Sequence, residues 1–371
     1  MATNLKNSHG SRFIVKLTLC LLVLSLLGLG LSTAAKAAPH FITDRAYVPN
    51  FLTGNVSVID LRNNIVIDTI DLGNGAGSGP YGVAVSEVRR EVYVTNVFAH
   101  TLSVISATTN KVLTNVPVGS EPNGVVVNRR GTRVYVANSE SDSVSVVNTA
   151  TMKVIETISV GDRPVGIGVN PSGTRVYVAN WNSGTLSVID TALNVVVATV
   201  PVRGNPAGVA LSPCGRTVYV VNNESNDWTG SVSAINAATN TELQGSPIPL
   251  YGSPFIRDRF LPGVPDDWLA YYSIPVAAAI DCFGITMYVS DLLGGIHIVD
   301  LRTRKVRGYI PSDGPTFGLS LMKYGMRLYA GQLEQDNVLS VPLNIYGNAA
   351  AGVRRVPVGD MPLGLGNFIL K

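Results

Sequence analysis

The phrase Tyr-Val-x-Asn recurs at Tyr93-Asn96, Tyr135-Asn138, Tyr177-Asn180 and Tyr219-Asn222, with the tyrosines 42 residues apart three times running. A chain that repeats itself at such a period stacks copies of one supersecondary unit, because no single copy can bury its own apolar face. Looser copies stand at Tyr47-Val48-Pro49-Asn50, Tyr288-Val289-Ser290-Asp291 and Tyr329-Ala330-Gly331-Gln332. That gives seven units with spacings of 46, 42, 42, 42, 69 and 41.

Each unit reads as four short strands, A to D. A proline stands 13 residues before the tyrosine (Pro80, Pro122, Pro164, Pro206, Pro275), or 14 in the last copy (Pro315), and opens strand A. Strand B carries Tyr-Val, strand C is a run such as "TLSVID", and strand D ends in Val-Gly. Gly131, Gly173 and Gly215 suit the A–B turn, where a positive φ costs glycine little. Asp60, Asn148, Asp190, Asn236 and Asp300 suit an Asx turn between C and D. Four strands in about 42 residues predict a propeller blade. The first unit lacks strand A, whereas the C-terminal "MPLGLGNFILK" has a strand A and no Tyr-Val-x-Asn. The two half-blades complement each other, so the expected fold is an all-β, seven-bladed ring closed by the C-terminal strand; an open solenoid of the same repeats is the rival. The tyrosines should fill the spaces between blades, and the asparagines should tie the B–C loop backbone.

The first 37 residues stand apart from the repeat. Lys6, Arg12 and Lys16 precede an apolar run from Leu17 to Leu31, and Ala35-Lys36-Ala37 follows as an A-x-A cleavage signal. This pattern predicts a secretory signal peptide cleaved near Ala37, a periplasmic or secreted product without a membrane span, and one propeller domain over residues 38–371. The leader carries four basic residues and no acidic ones, so the 28 Lys+Arg and 25 Asp+Glu of the whole chain become 24 and 25, net −1. The mature chain has no global field to draw it to nucleic acid or an anionic membrane.

"YVTN" at Tyr93-Asn96, with the Pro-x-Gly element and "SVID", resembles the YVTN-repeat β-propellers, which include bacterial periplasmic propellers of the YncE type and archaeal surface-layer proteins. The resemblance spans essentially the whole chain after the leader. It implies the fold and leaves the function open, since propellers serve as binding modules, scaffolds and enzymes.

The strand order puts the B–C and D–A loops on one face, called the top here, and the repeat is broken chiefly there. The longest break adds 27 residues between Tyr219 and Tyr288, within Gly245 to Pro275, and brings Arg257, Arg259, Asp266, Asp267 and Trp268. The B–C loops add His100, Trp181 and Trp228, and residues just before the strand-A prolines add Glu121 and Arg163 to a mixed polar ring. These ten residues are the candidate binding set; for each, the competing assignment is packing or a solvated rim. Cys214 and Cys282 map to A–B turns of neighbouring blades, where either a disulfide or two separate thiols would fit.

Catalytic signals are poor. The histidines after the leader are His40, His100 and His297, with no C-x-x-C-H haem site and no G-x-S-x-G elbow. The expected role is a cofactor-free binding or scaffold module that takes a protein partner or a small polar ligand on its top face, including a place in a larger redox complex. A metal-dependent lactonase or lyase is the alternative enzyme. Single-stranded nucleic-acid binding, which the family resemblance also brings in, is weakened by the charge.

Overall fold

The computed structural model describes residues 44–75, 77–224, 229–250, 273–322, 326–364 and 369–370. These residues form seven antiparallel sheets. Blade one holds Arg45–Asn50, Asn55–Asp60 and Ile65–Asp71 as strands B to D, with Ile369–Leu370 as strand A. Blade two runs Pro80–Ser86, Glu91–Asn96, Thr101–Ser106 and Lys111–Pro117; blade three Pro122–Val127, Arg133–Asn138, Ser143–Asn148 and Lys153–Ser159; blade four Pro164–Val169, Arg175–Asn180, Thr185–Asp190 and Val195–Pro201. Blade five has Asn205–Leu211, Thr217–Glu224 and Thr229–Asn236, then a split outer strand, Thr241–Glu242 and Ile248–Leu250. Blade six runs Pro275–Ile280, Thr286–Asp291, Ile296–Asp300 and Lys305–Ile310; blade seven Thr316–Leu321, Arg327–Gln332, Asn337–Pro342 and Arg354–Pro357. Apart from one 3-10 turn at Ser139–Ser141, no helix is present among the described residues.

The chain is a seven-bladed β-propeller, closed as the two half-blades require. Arg45 pairs with Leu370 and Ala46 with Ile369, and Asn50 bridges Pro362. The long insertion begins later than the sequence placed it, because Ile248–Leu250 still pairs with strand C of blade five.

On blades one, six and seven the repeated tyrosine is a latch between blades, whereas the Tyr93 hydroxyl donates to Glu91 on its own strand. All seven rings are buried. The Tyr47 hydroxyl donates to Ala107 O and Asn110 Oδ1 at 3.3 Å, Tyr288 to Gly347 O at 2.7 Å, and Tyr329 to Asn64 Oδ1 at 3.1 Å. In each case the acceptor lies on the C–D connection of the next blade. Burial pushes these phenols above their ordinary pKa, so they stay neutral donors.

The asparagine acts differently from expectation. It ties side chains of strand C rather than the loop backbone. Asn180 Nδ2 donates to Thr185 Oγ1 at 3.0 Å and Ser187 Oγ at 2.9 Å; Asn50, Asn96, Asn138 and Asn222 repeat this on their own strands C. The geometry explains why Asn and Ser recur together. Asn180→Ala is expected to cost about 1–3 kcal/mol, since the buried Ser187 hydroxyl and the half-buried Thr185 hydroxyl lose a shared donor. A denaturant midpoint unchanged by this substitution would contradict the assignment.

The glycine of Pro-x-Gly sets the inner wall. A Cβ on Gly82, Gly124, Gly166, Gly208 or Gly318 would overlap the carbonyl oxygen of Asn123, Val165, Ala207, Val276 or Gly364, each on strand A or the closing segment of the next blade. Strands A thus approach backbone to backbone around a central channel. Below the glycines it holds a cavity of about 360 Å³ with aliphatic walls, including Val126, Ile167, Val209, Leu211 and Leu319.

Candidate functional site at the top of the channel

Two registers of the repeat meet at the upper mouth. The first is the residue following Tyr-Val-x-Asn. Its N–H bonds a carbonyl near the start of strand A, fixing it over the channel: Phe51 to Met361 at 3.1 Å, Trp181 to Arg163 at 2.9 Å, Leu292 to Ile274 at 3.0 Å and Leu333 to Pro315 at 3.1 Å. The second is the middle residue of Pro-x-Gly. On blades six, seven, one and two these registers supply Val276, Phe317, Leu363, Tyr81, Leu292, Leu333 and Phe51, which pack as one cluster across the mouth. On blades three and five they supply the smaller or polar groups Asn123, Ser139, Ala207 and Asn223, and on blade four Trp181 and Val165, of which Val165 joins the cluster.

The apolar half contains a ladder of edge-on rings. Phe98 meets Phe51 at 5.6 Å, Phe51 meets Tyr81 at 6.3 Å, and Tyr81 meets Phe317 at 5.5 Å. Such edge contacts set the negative face of one ring against the positive edge of the next. The ladder runs from solvent to core, since Phe98 is 58% exposed and Phe317 is buried. Burial raises the Tyr81 pKa well above its ordinary value, with Arg163 opposing, so the phenol remains neutral. Beside the ladder, Leu52, Pro315, Leu333, Glu334, Asp336, Asp360 and Met361 line a recess of about 540 Å³. Its three carboxylates make this side acidic.

The residues expected from sequence have mixed placements. His100 and Glu121 come together, because His100 Nδ1 accepts the Glu121 N–H at 3.1 Å. Asp142 Oδ1 does the same for Arg163 N–H at 2.8 Å, and Asp336 Oδ1 for Met361 N–H at 2.9 Å. His100 therefore occupies a position that ties the B–C loop to the following D–A loop. The Arg163 side chain pairs with Glu140 at 3.5 Å. Trp181 is half-buried, in the register of Phe51, Leu292 and Leu333. Trp228, Arg257, Arg259, Asp266, Asp267 and Trp268 lie outside the described residues. Among the described residues, no three His, Cys, Asp or Glu side chains are grouped to hold a metal ion. The ladder residues Phe51, Tyr81 and Phe317 were not singled out from sequence. The signal for them was available: they are the bulky members of two otherwise small or mixed registers.

Cys214 and Cys282 are not joined in this structure, and both are exposed. The Ser212 hydroxyl and the Arg216 backbone N–H lower the Cys214 pKa below its ordinary value. Two thiols should therefore titrate at these positions without reductant. Cys214 should alkylate at lower pH than an ordinary cysteine, because its thiolate forms earlier as pH rises. A single disulfide found by mass mapping would contradict this.

The YNCE-like beta-propeller family model matches residues 129–231, which run from the third blade into the fifth. No curated protein matches the chain in sequence. Among solved structures, Kuenenia stuttgartiensis hydrazine synthase is similar, with a TM-score of 0.66 and 22% identity, covering 76% of this chain and 88% of that one. At that identity the likeness shows the fold alone. The matched segment is a run of the same repeat that builds all seven blades, so the chain is a seven-bladed β-propeller that resembles the YncE-like propellers over its third to fifth blades.

Proposed function

We propose that the propeller is a binding module that docks a protein partner on its top face, where blades seven, one and two meet. The observation that carries this is the exposure of Phe98 and Leu52, both 58%, at the outer end of the packed aromatic ladder. Rings held by neighbours lose little freedom on binding and so serve well as interface anchors. The acidic recess beside them favours a partner with a basic or polar rim and disfavours phosphate backbones. The fold needs no cofactor for this role, and a place as a subunit of a larger redox complex is one form of it. The leader-like pattern of Lys6, Arg12 and Lys16 before the apolar run from Leu17 to Leu31 and Ala35-Lys36-Ala37 supports an encounter in the periplasm or outside the cell.

The test is site-specific photo-crosslinking in intact cells. A photoreactive residue at Leu52 or Phe98 should give a discrete adduct, whereas one at exposed Val88, on an A–B turn of the opposite face, should not. Equal labelling from the two faces, or none from the top, would defeat the proposal.

A further inference from the structure

The C–D connection of blade seven breaks a rule that the other blades keep. In each of the other six blades, four residues link strands C and D; in blade seven, residues 343–353 do so. The added loop is a built object. Asn344 N–H donates to Asn348 O at 2.9 Å, Gly347 N–H to Asn344 O at 2.8 Å, and Asn344 Oδ1 accepts the N–H groups of Tyr346 and Asn348. Blade six braces it from the side: the Tyr288 hydroxyl bonds Gly347 O at 2.7 Å, and Arg307 bonds Tyr346 O and Asn348 Oδ1 at 2.6 Å. Leu343 anchors the base in the core.

This scaffold holds apolar side chains out in water. Ile345 is 82% exposed and Tyr346 72%. Two neighbours on the same lower face are also exposed: Met326, whose carbonyl accepts the Leu343 N–H, and Phe283, three residues before Thr286, on which Arg307 rests. Soluble surfaces rarely gather such groups without a use for them. Around them stand the exposed basic residues Arg302, Lys305, Arg307 and Arg354, of which Arg302 is matched by Asp300. The net charge after the leader is slightly negative, so this concentration is local.

We propose that this lower face of blades six and seven docks on an anionic lipid bilayer, with Ile345 and Tyr346 inserted at headgroup depth and Lys305 and Arg354 on lipid phosphates. An apolar tip that protrudes, rather than a pocket, fits a deformable surface, and tyrosine favours the headgroup level. Apolar insertion and a basic collar together give the two signals that stable membrane attachment needs. The top face would then point away from the membrane.

The experiment is flotation of the folded chain with vesicles of equal phosphatidylglycerol and phosphatidylcholine, or of phosphatidylcholine alone, at low and high salt. Binding should require the anionic lipid and weaken with salt. Ile345→Ser with Tyr346→Ser should weaken it at least about tenfold, and Lys305→Glu or Arg354→Glu about fivefold or more. Each variant should keep the parent melting temperature. No binding to anionic vesicles at low salt overturns the proposal and leaves an acidic protein as the occupant. Binding that survives the tip substitutions in folded protein also overturns it.

Discussion

Gly166→Ala is expected to lower stability by about 2–3 kcal/mol, a fall in melting temperature of roughly 5 °C or more for a domain of this size. The added methyl has nowhere to go, because its site overlaps Ala207 O, a backbone atom of the next blade. Relief would require strand A of blade four to move away from strand A of blade five, and both are held by their own ladders. Blade six supplies an internal control. It has Ala277 where the others have glycine, so that interface already accommodates a Cβ, and Ala277→Gly should change stability by less than about 1 kcal/mol. A small effect at Gly166 would mean that the inner strands are less closely approached than described.

Removing Met361 to Lys371 should have the largest effect on the fold. The segment supplies strand A of blade one, and Ile369 is buried in that blade's core. Its Leu363 accepts the Gly318 N–H at 3.1 Å and donates to Pro49 O at 3.0 Å, joining blade seven to blade one. Without it, Arg45–Asn50 becomes an open edge, ready to pair with another chain. The truncated protein should melt far lower or aggregate, as read by calorimetry and gel filtration. An unchanged melting temperature in a monomeric truncation would show that closure contributes nothing.

Much of this was legible because the repeat records packing demands. Proline, glycine, tyrosine and asparagine recur at positions where one backbone must meet another or where a buried group needs a fixed partner. Closure was legible from two incomplete ends. Side-chain partners were harder. Asn180 could have bonded the loop or strand C, and only the paired register of Asn180 with Thr185 and of Val178 with Ser187 decides it. The same register explains the departure in blade six. Asp291 stands for the asparagine and His297 for the serine, and the two meet at 2.9 Å in the core, with Ser273 Oγ also on Asp291. Neither exchange makes sense alone. The aromatic ladder escaped sequence reasoning because its members come from blades one, two and seven, which are neighbours only after the ring closes. The tryptophans stand out more in the sequence, yet Trp181 occupies a register that packs over the mouth. The loop of blade seven was missed because its tyrosine spacing is ordinary: the insertion falls after the last repeat phrase.

The central claim is that recurring residues build the propeller, while the exposed end of the aromatic ladder recognises a partner. It is tested most directly by measuring melting temperature and adduct yield on the same variants, with the photoreactive residue at Leu52. Phe98→Ser should keep the melting temperature within about 1 °C of the parent and abolish most of the adduct. Asn180→Ala should lower the melting temperature and leave the adduct formed by the remaining folded protein unchanged. If Phe98→Ser melts as low as Asn180→Ala while its folded fraction still gives the full adduct, the ladder is scaffold and the recognition surface lies elsewhere.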